Sequence, residues 1–166
     1  SRMGEDKALL PFGNETTLAE YQYKRLKPFF KSIYISCKNP SLFSFDASFI
    51  EDDKAFNLYA PSVGFYSSFA FLKTKHIFVI SVDSPFVDKN TIRELIKHKD
   101  NYDAVIAKNN NKSHYLIGVY SYNLYKDFKI MLNENKHKLA HLLLERKVKR
   151  VEFQNNDSFI NLNFKV

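Results

Sequence analysis

Apolar and polar positions alternate along the chain in two different rhythms. Leu18, Tyr21, Arg25/Leu26 and Phe29 recur at helical spacing, and Thr16 or Thr17 can cap a helix that begins at Leu18. Residues 32–36 then read as a short buried strand, ended by Lys38-Asn39-Pro40. A second strand is expected over residues 47–50, delivering Glu51, Asp52 and Asp53 at its carboxyl end. Residues 57–63 form a loop that leads into a helix from about Gly64 to Leu72. The clearest central strand is His76-Ile77-Phe78-Val79-Ile80-Ser81-Val82, continuous, apolar and β-branched. It stops at Asp83-Ser84-Pro85, because proline cannot continue the ladder.

Residues 88–99 follow as an amphipathic helix, with Ile92, Leu95 and Ile96 inward and Asp88 near the N-cap. Residues 104–107 and 115–120 are further strands, separated by a polar loop that contains Asn109-Asn110-Asn111. Helices are expected near 121–132 and 136–146, and short strands at 148–153 and 159–162. Strands alternating with helices imply an α/β fold: three α/β/α layers around a mostly parallel, Rossmann-like sheet. No linker-like stretch divides the 166 residues, so one domain over 1–166 is expected. Ligands of such sheets bind outside the carboxyl ends of the strands. That places the opening loop, the acids after the second strand and Asp83 at one rim.

Composition narrows the class. Sixteen Phe, ten Tyr and 45% apolar residues predict a packed interior rather than disorder. The single cysteine, Cys37, allows no internal disulfide framework and suits a reducing cytoplasm, where a buried structural thiol is its expected state. No apolar run reaches a membrane span's length, and no signal peptide is visible. The net charge of +7 concentrates between 126 and 150, where eight Lys/Arg face three acids. Such a patch attracts anions in general, but no RNP, helix-turn-helix or zinc-finger pattern accompanies it. Nucleic acid is therefore not the expected partner, and a solvated helix face is the commoner explanation.

Two nucleotide motifs are excluded. The four glycines (4, 13, 64 and 118) cannot supply Gly-x-Gly-x-x-Gly, and no Gly-Lys-Ser/Thr is present. The chain instead opens on Ser1-Arg2-Met3-Gly4-Glu5-Asp6-Lys7. There a glycine would let the backbone approach an anion, and Arg2 and Lys7 would add lasting positive charge. The alternative for that stretch is a loose, solvated chain end. Asp83, at the end of a hydrophobic strand, is the best single catalytic candidate, because magnesium takes few protein carboxylates and completes its shell with water and phosphates. A loop-capping role is its alternative.

Arg2-Met3-Gly4 with Asp6-Lys7 and the apolar run after it resembles the signature of the MobA family, the molybdenum cofactor guanylyltransferases, which have the nucleotide-diphospho-sugar transferase fold. In that family a strand and Leu-Ala-Gly-Gly precede the signature, so an N-terminal strand is expected before Ser1. Val82-Asp83-Ser84-Pro85-Phe86 resembles the family's Cys-Asp-x-Pro-Phe/Tyr, with Val for Cys. Asp52, then Tyr59-Ala60-Pro61-Ser62-Val63-Gly64, resembles its acid followed by Gly-Pro-Leu-x-Gly, with Ala60 in place of the first glycine. The loose counterpart of the family's base-contacting Asn segment is Ser36-Cys37-Lys38-Asn39. His114 to Tyr120 resembles His-Pro-Leu-x-Gly-Leu-Tyr, Lys138 matches a basic position, and Asn161 with Asn163 resembles Asn-x-Asn-Thr-Pro-Glu without its last three residues.

The resemblance implies transfer of GMP from Mg2+-bound GTP to molybdopterin with release of pyrophosphate. Arg2, Gly4, Lys7, Asp52 and Asp83 would bind the nucleotide, with Asp53 the alternative to Asp52 at the guanine. Arg2, Lys7 and Asp83 would be catalytic and Asp83 would hold the metal. Gly64, His114, Lys138, Asn161 and Asn163 would line the acceptor side. Its implied partners are GTP, molybdopterin and other proteins of molybdenum cofactor biosynthesis or recipient molybdoenzymes. The rivals are a relative using CTP or a sugar or alditol phosphate, a basic nucleic-acid-binding module, and a non-catalytic homologue.

Overall fold

The computed structural model describes residues 6–154 and 157–162; Arg2, Gly4 and Asn163 lie outside them. A 3-10 turn, Lys7–Leu9, is capped by the Asp6 carboxylate, which accepts from the Ala8 amide at 3.0 Å. Helix α1 (Leu18–Leu26) begins where expected, with Thr17 Oγ1 accepting from the Glu20 amide at 3.1 Å. Strands β1 (Ile35–Cys37) and β2 (Phe49–Glu51) pair in parallel as a small sheet. Helix α2 (Pro61–Leu72) starts three residues before Gly64, because proline at the first helical position gives up an amide that would have no partner there. It ends on Lys73, at φ 51°.

The main sheet holds β3 (His76–Ile80), β4 (Ala104–Asn109), β5 (Lys112–Ser121) and β6 (Val148–Glu152) in the order β3-β5-β4-β6. β6 runs parallel to β4, while β5 is antiparallel to both β3 and β4. Three of the four strands therefore point the same way, as a mostly parallel sheet requires. β5 reverses because the polar run is a tight hairpin rather than a loop. Asn109 pairs with Lys112, and the two residues between them, Asn110 and Asn111, have φ of 49° and 62°. Asparagine tolerates that left-handed region, and the pair forms the connection that best matches strand twist.

Successive residues of β4 face opposite sides. Ala104 and Ile106 join Phe65, Phe69, Tyr120 and Phe128 in one buried cluster, with α2 and α4 (Tyr125–Asn133) above it. Val105 and Ala107 join Leu26, Ile92, Leu95 and Val119 in another, under α1 and α3 (Lys89–Lys97). This is the expected three-layer arrangement. Asp88 caps α3 as predicted, accepting from the Thr91 amide at 2.7 Å. Gly118 on β5 lies so close to β4 that a Cβ there would run into the Val105 carbonyl oxygen. Gly118→Ala is expected to lower unfolding free energy by about 1–3 kcal/mol, through overpacking that two backbones cannot relieve. A urea unfolding midpoint unchanged from wild type would contradict this.

Among the described residues β3, expected to be central, stands at one edge of the four-stranded sheet, and two further predicted elements differ. The helix expected over 136–146 is only one turn, α5 (Leu139–Leu142), because Asn135 at φ 54° redirects the chain after α4. The strand expected over 159–162 is absent. A 3-10 turn, Asp157–Phe159, comes instead, and the Leu162 amide bonds to Asp83. Asn161 thus reaches the site from a turn and not from a strand.

Candidate active site

The sheet ends where the expected chemistry begins. The Ser81 amide still donates to the Leu116 carbonyl at 2.8 Å, after which the chain leaves β3. A turn follows, closed by the Ser84 amide on the Ser81 carbonyl at 3.2 Å. Inside it Ser81 Oγ donates to Asp83 Oδ1 at 2.6 Å, which orients the half-buried carboxylate. Ser84 and Pro85, the next two residues, are buried. A serine two residues before the acid is the sequence signal for this orienting contact, one that apolar patterning alone does not bring out.

Three distant segments meet at this turn. The Leu162 amide donates to the Asp83 carbonyl at 3.0 Å, and the Leu162 carbonyl accepts from Lys7 Nζ at 3.2 Å. Ser84 Oγ donates to Asn161 Oδ1 at 3.2 Å. Lys7, Asp83 and Asn161 are thus brought together across 155 residues of sequence. Beside them a cleft of about 420 Å³ is lined by Phe86, Asp88, Asp157, Ser158 and Ile160.

Asp52 stands at the end of the small sheet, where its amide donates to the Cys37 carbonyl at 2.9 Å. Burial raises its pKa above the ordinary aspartate range and Glu51 adds to this, while Ser36 and Lys38 act the other way. A Cβ on Gly64 would sit 3.0 Å from Ser36 Oγ and 3.8 Å from Asp52 Oδ1, so the glycine keeps the space beside this carboxyl small and open. Asp53 is exposed and its carboxylate accepts from the Ala55 amide at 2.9 Å, a local turn contact. That geometry favours Asp52 over Asp53. The Cys37 thiol is pushed up to about 11, chiefly by burial and then by Asp52, with Asp6 a smaller contributor. It therefore stays protonated near neutrality.

His114 lies where the β4–β5 register breaks, its ring 4.9 Å from that of Phe159. Its Nε2 is buried and has no hydrogen-bond partner among the described residues. Burial, followed by the charge of Lys112, lowers its pKa and favours the neutral ring. Lys138 is exposed at the start of α5. Its neighbour His137 is within 3.3 Å of Ser62 Oγ through Nδ1, so this loop sits against the start of α2. Lys138 is thereby associated with the Gly64 helix rather than with the Lys7–Asp83 cluster.

A sequence model of the MobA-like NTP transferase domain matches residues 1–151. The chain belongs to the MobA-like NTP transferase family. A relative from Campylobacter jejuni subsp. doylei, named molybdenum cofactor guanylyltransferase, is 37% identical over 165 residues, covering 99% of this chain and 85% of its own. One of the same name from Helicobacter pylori (strain G27) is 32% identical over 158 residues, covering 95% and 77%. Molybdopterin-guanine dinucleotide biosynthesis protein A from Archaeoglobus fulgidus has the same fold: TM-score 0.82 at 19% identity, covering 98% of this chain and 86% of that one. The family expectation from the opening motif and the Asp-x-Pro segment is met, and this MobA-like chain is a nucleotidyltransferase. Among its described residues, no helix is long and apolar enough to cross a membrane.

Proposed function

We propose that this MobA-like chain is a molybdenum cofactor guanylyltransferase, acting as one domain over 1–166 in the cytoplasm. The observation that carries the reading is the joining of Lys7, Asp83 and Asn161 at one strand end, in a chain whose relatives bear that name. In the reaction an oxygen of the acceptor's terminal phosphate bonds to the α-phosphorus of GTP. The bond from that phosphorus to the α,β-bridging oxygen breaks, and its electron pair leaves with pyrophosphate. The attacking phosphate is already ionised, so no side chain need remove a proton.

Lys7 and Arg2 would balance the triphosphate charge, with Gly4 permitting close backbone approach. Asp83 offers a hard oxygen donor with one oxygen steadied by Ser81, and no group of three metal-binding side chains lies among the described residues. That donor set fits Mg2+ shared with a substrate's phosphates rather than a protein-caged ion. Such an ion would stabilise charge on the non-bridging and leaving oxygens. Asp52 would accept from the N1–H and N2–H of guanine. Gly64, His114, Lys138, Asn161 and Asn163 are assigned to the acceptor side.

The test follows pyrophosphate release and guanine dinucleotide formation with Mg2+, Mo-molybdopterin and either GTP or CTP. Turnover with GTP is expected. A clear preference for CTP, or turnover only with a sugar or alditol phosphate, would overturn the assignment.

Asp52 adds a pH dependence. A carboxylate must be ionised to accept from guanine, and burial makes this one harder to ionise. The KM for GTP is therefore expected to rise on acidification from a higher pH than an ordinary aspartate would give. Asp52→Asn is expected to raise that KM roughly 10- to 100-fold, the scale of a charge-assisted pair, and to flatten the profile. A variant with wild-type KM and slope would remove Asp52 from the base site.

A further inference from the structure

Gln22 is a polar residue on the inner face of α1, only 6% exposed, among Leu18, Ala19, Tyr23 and Leu26. Its carboxamide is used at both ends. Nε2 donates to the Ser81 carbonyl at 3.2 Å and to the Val82 carbonyl at 3.3 Å. Oε1 accepts from Arg25 Nε at 3.0 Å and from Arg25 Nη2 at 2.6 Å. The third guanidinium nitrogen, Nη1, donates to the Val87 carbonyl at 2.6 Å. Carbonyls on both sides of Asp83 are thus tied to one helix. A buried amide costs free energy unless every polar atom is paired, and here the pairing converges on the turn that carries the acid.

The same helix is fastened to the opening segment. The Leu18 amide donates to the Leu10 carbonyl at 2.7 Å, and the Leu10 amide closes back on the Lys7 carbonyl at 3.2 Å. α1 therefore stands between the Lys7 turn and the Asp83 turn, in hydrogen-bonded contact with each.

We propose that Gln22 and Arg25 are positioning residues that set the Asp83 turn against the Lys7 turn, so that the carboxylate and the ammonium meet one metal-bound triphosphate. This rests on the nucleotidyltransfer reading above. An apolar residue at 22 would fill the helix face equally well but would leave the carbonyls and Arg25 without their shared partner. Arginine matters at 25 because its planar fork reaches Gln22 and Val87 together, which a lysine cannot do.

The experiment compares wild type, Gln22→Leu, Gln22→Glu, Arg25→Lys and, as a control on the exposed side of α1, Lys24→Ala. Binding of Mn2+ in the presence of GTP is followed by the electron paramagnetic resonance signal of free Mn2+. Steady-state kcat and KM for GTP are measured with saturating metal, and each variant is melted. Gln22→Leu and Arg25→Lys are expected to weaken Mn2+ binding and lower kcat about tenfold each, with the KM for GTP changed less than about twofold. Gln22→Glu should behave like Leu, because a carboxylate keeps Arg25 but cannot donate to Ser81 and Val82. Lys24→Ala, which loses only its ion pairs with Glu15 and Glu20, should match wild type in Mn2+ binding and kcat.

If Gln22→Leu fails to fold, Arg25→Lys, which keeps the cation, decides the question. A folded Gln22→Leu or Arg25→Lys with wild-type Mn2+ affinity and kcat, and only a lowered melting temperature, would overturn the positioning role. A wild-type chain that neither binds Mn2+ with GTP nor releases pyrophosphate would overturn the parent reading and this one with it.

Discussion

Asp83→Ala is expected to reduce pyrophosphate release by roughly 10²–10³-fold, the scale seen when one preorganised electrostatic group is removed from a reacting centre. The loss should appear chiefly in kcat, because charge on the bridging and leaving oxygens grows on the way to the transition state. Folding should survive. The contact from Leu162 goes to the Asp83 backbone carbonyl, which alanine retains, and the side chain accepts a hydrogen bond from the Ser81 hydroxyl. One such hydrogen bond is worth about 0.5–1.5 kcal/mol. Asp83→Asn keeps the shape and an oxygen for Ser81 but removes the charge, so it should be nearly as inactive as alanine. Full activity in either variant, with excess Mg2+ ruled out as a rescue, would refute the metal role.

Lys7→Met is expected to be the second most damaging change, with kcat/KM for GTP lowered roughly 10- to 150-fold. Methionine keeps the apolar stem but removes the ammonium, and with it both a phosphate contact and the bond to the Leu162 carbonyl. These two consequences separate experimentally. Lys7→Arg restores the charge with different geometry, so recovery of KM without kcat would assign the ammonium to charge balance and its exact placement to chemistry. Unchanged kcat/KM in Lys7→Met would exclude Lys7 from the triphosphate site.

Much of this arrangement was legible in the residues themselves. Thr17 and Asp88 announced their helices because a capping side chain next to an apolar period is a strong local signal. The run from His76 into Asp83 and Pro85 announced a strand and its end, but not that this strand would stand at the edge of the four-stranded sheet rather than at its centre. What remained hidden depended on contacts far apart in sequence, or on backbone angles that polar residues do not advertise. The direction of β5 turned on two asparagines at positive φ, a hairpin signal obscured by a third asparagine beside them. The segment after Asp157 alternates over too few residues to reveal its shape, which is set by the Leu162 amide finding the Asp83 carbonyl. Gln22 shows as one polar position inside an apolar helix stripe, a pattern that marks a buried network only once its partners are known.

The bonds from Lys7 to Leu162 and from Leu162 to Asp83 have a consequence for how the enzyme gains and loses function. The first joins residues 155 positions apart, a contact that costs an unfolded chain much loop entropy and is rewarded only when the sheet between them already stands. Catalytic competence would then be acquired last in folding and surrendered first on heating, by opening of these bonds while both core clusters remain packed. The site is in this sense a readout of completed folding, and a growing chain that has not yet reached Leu162 would not yet transfer nucleotide.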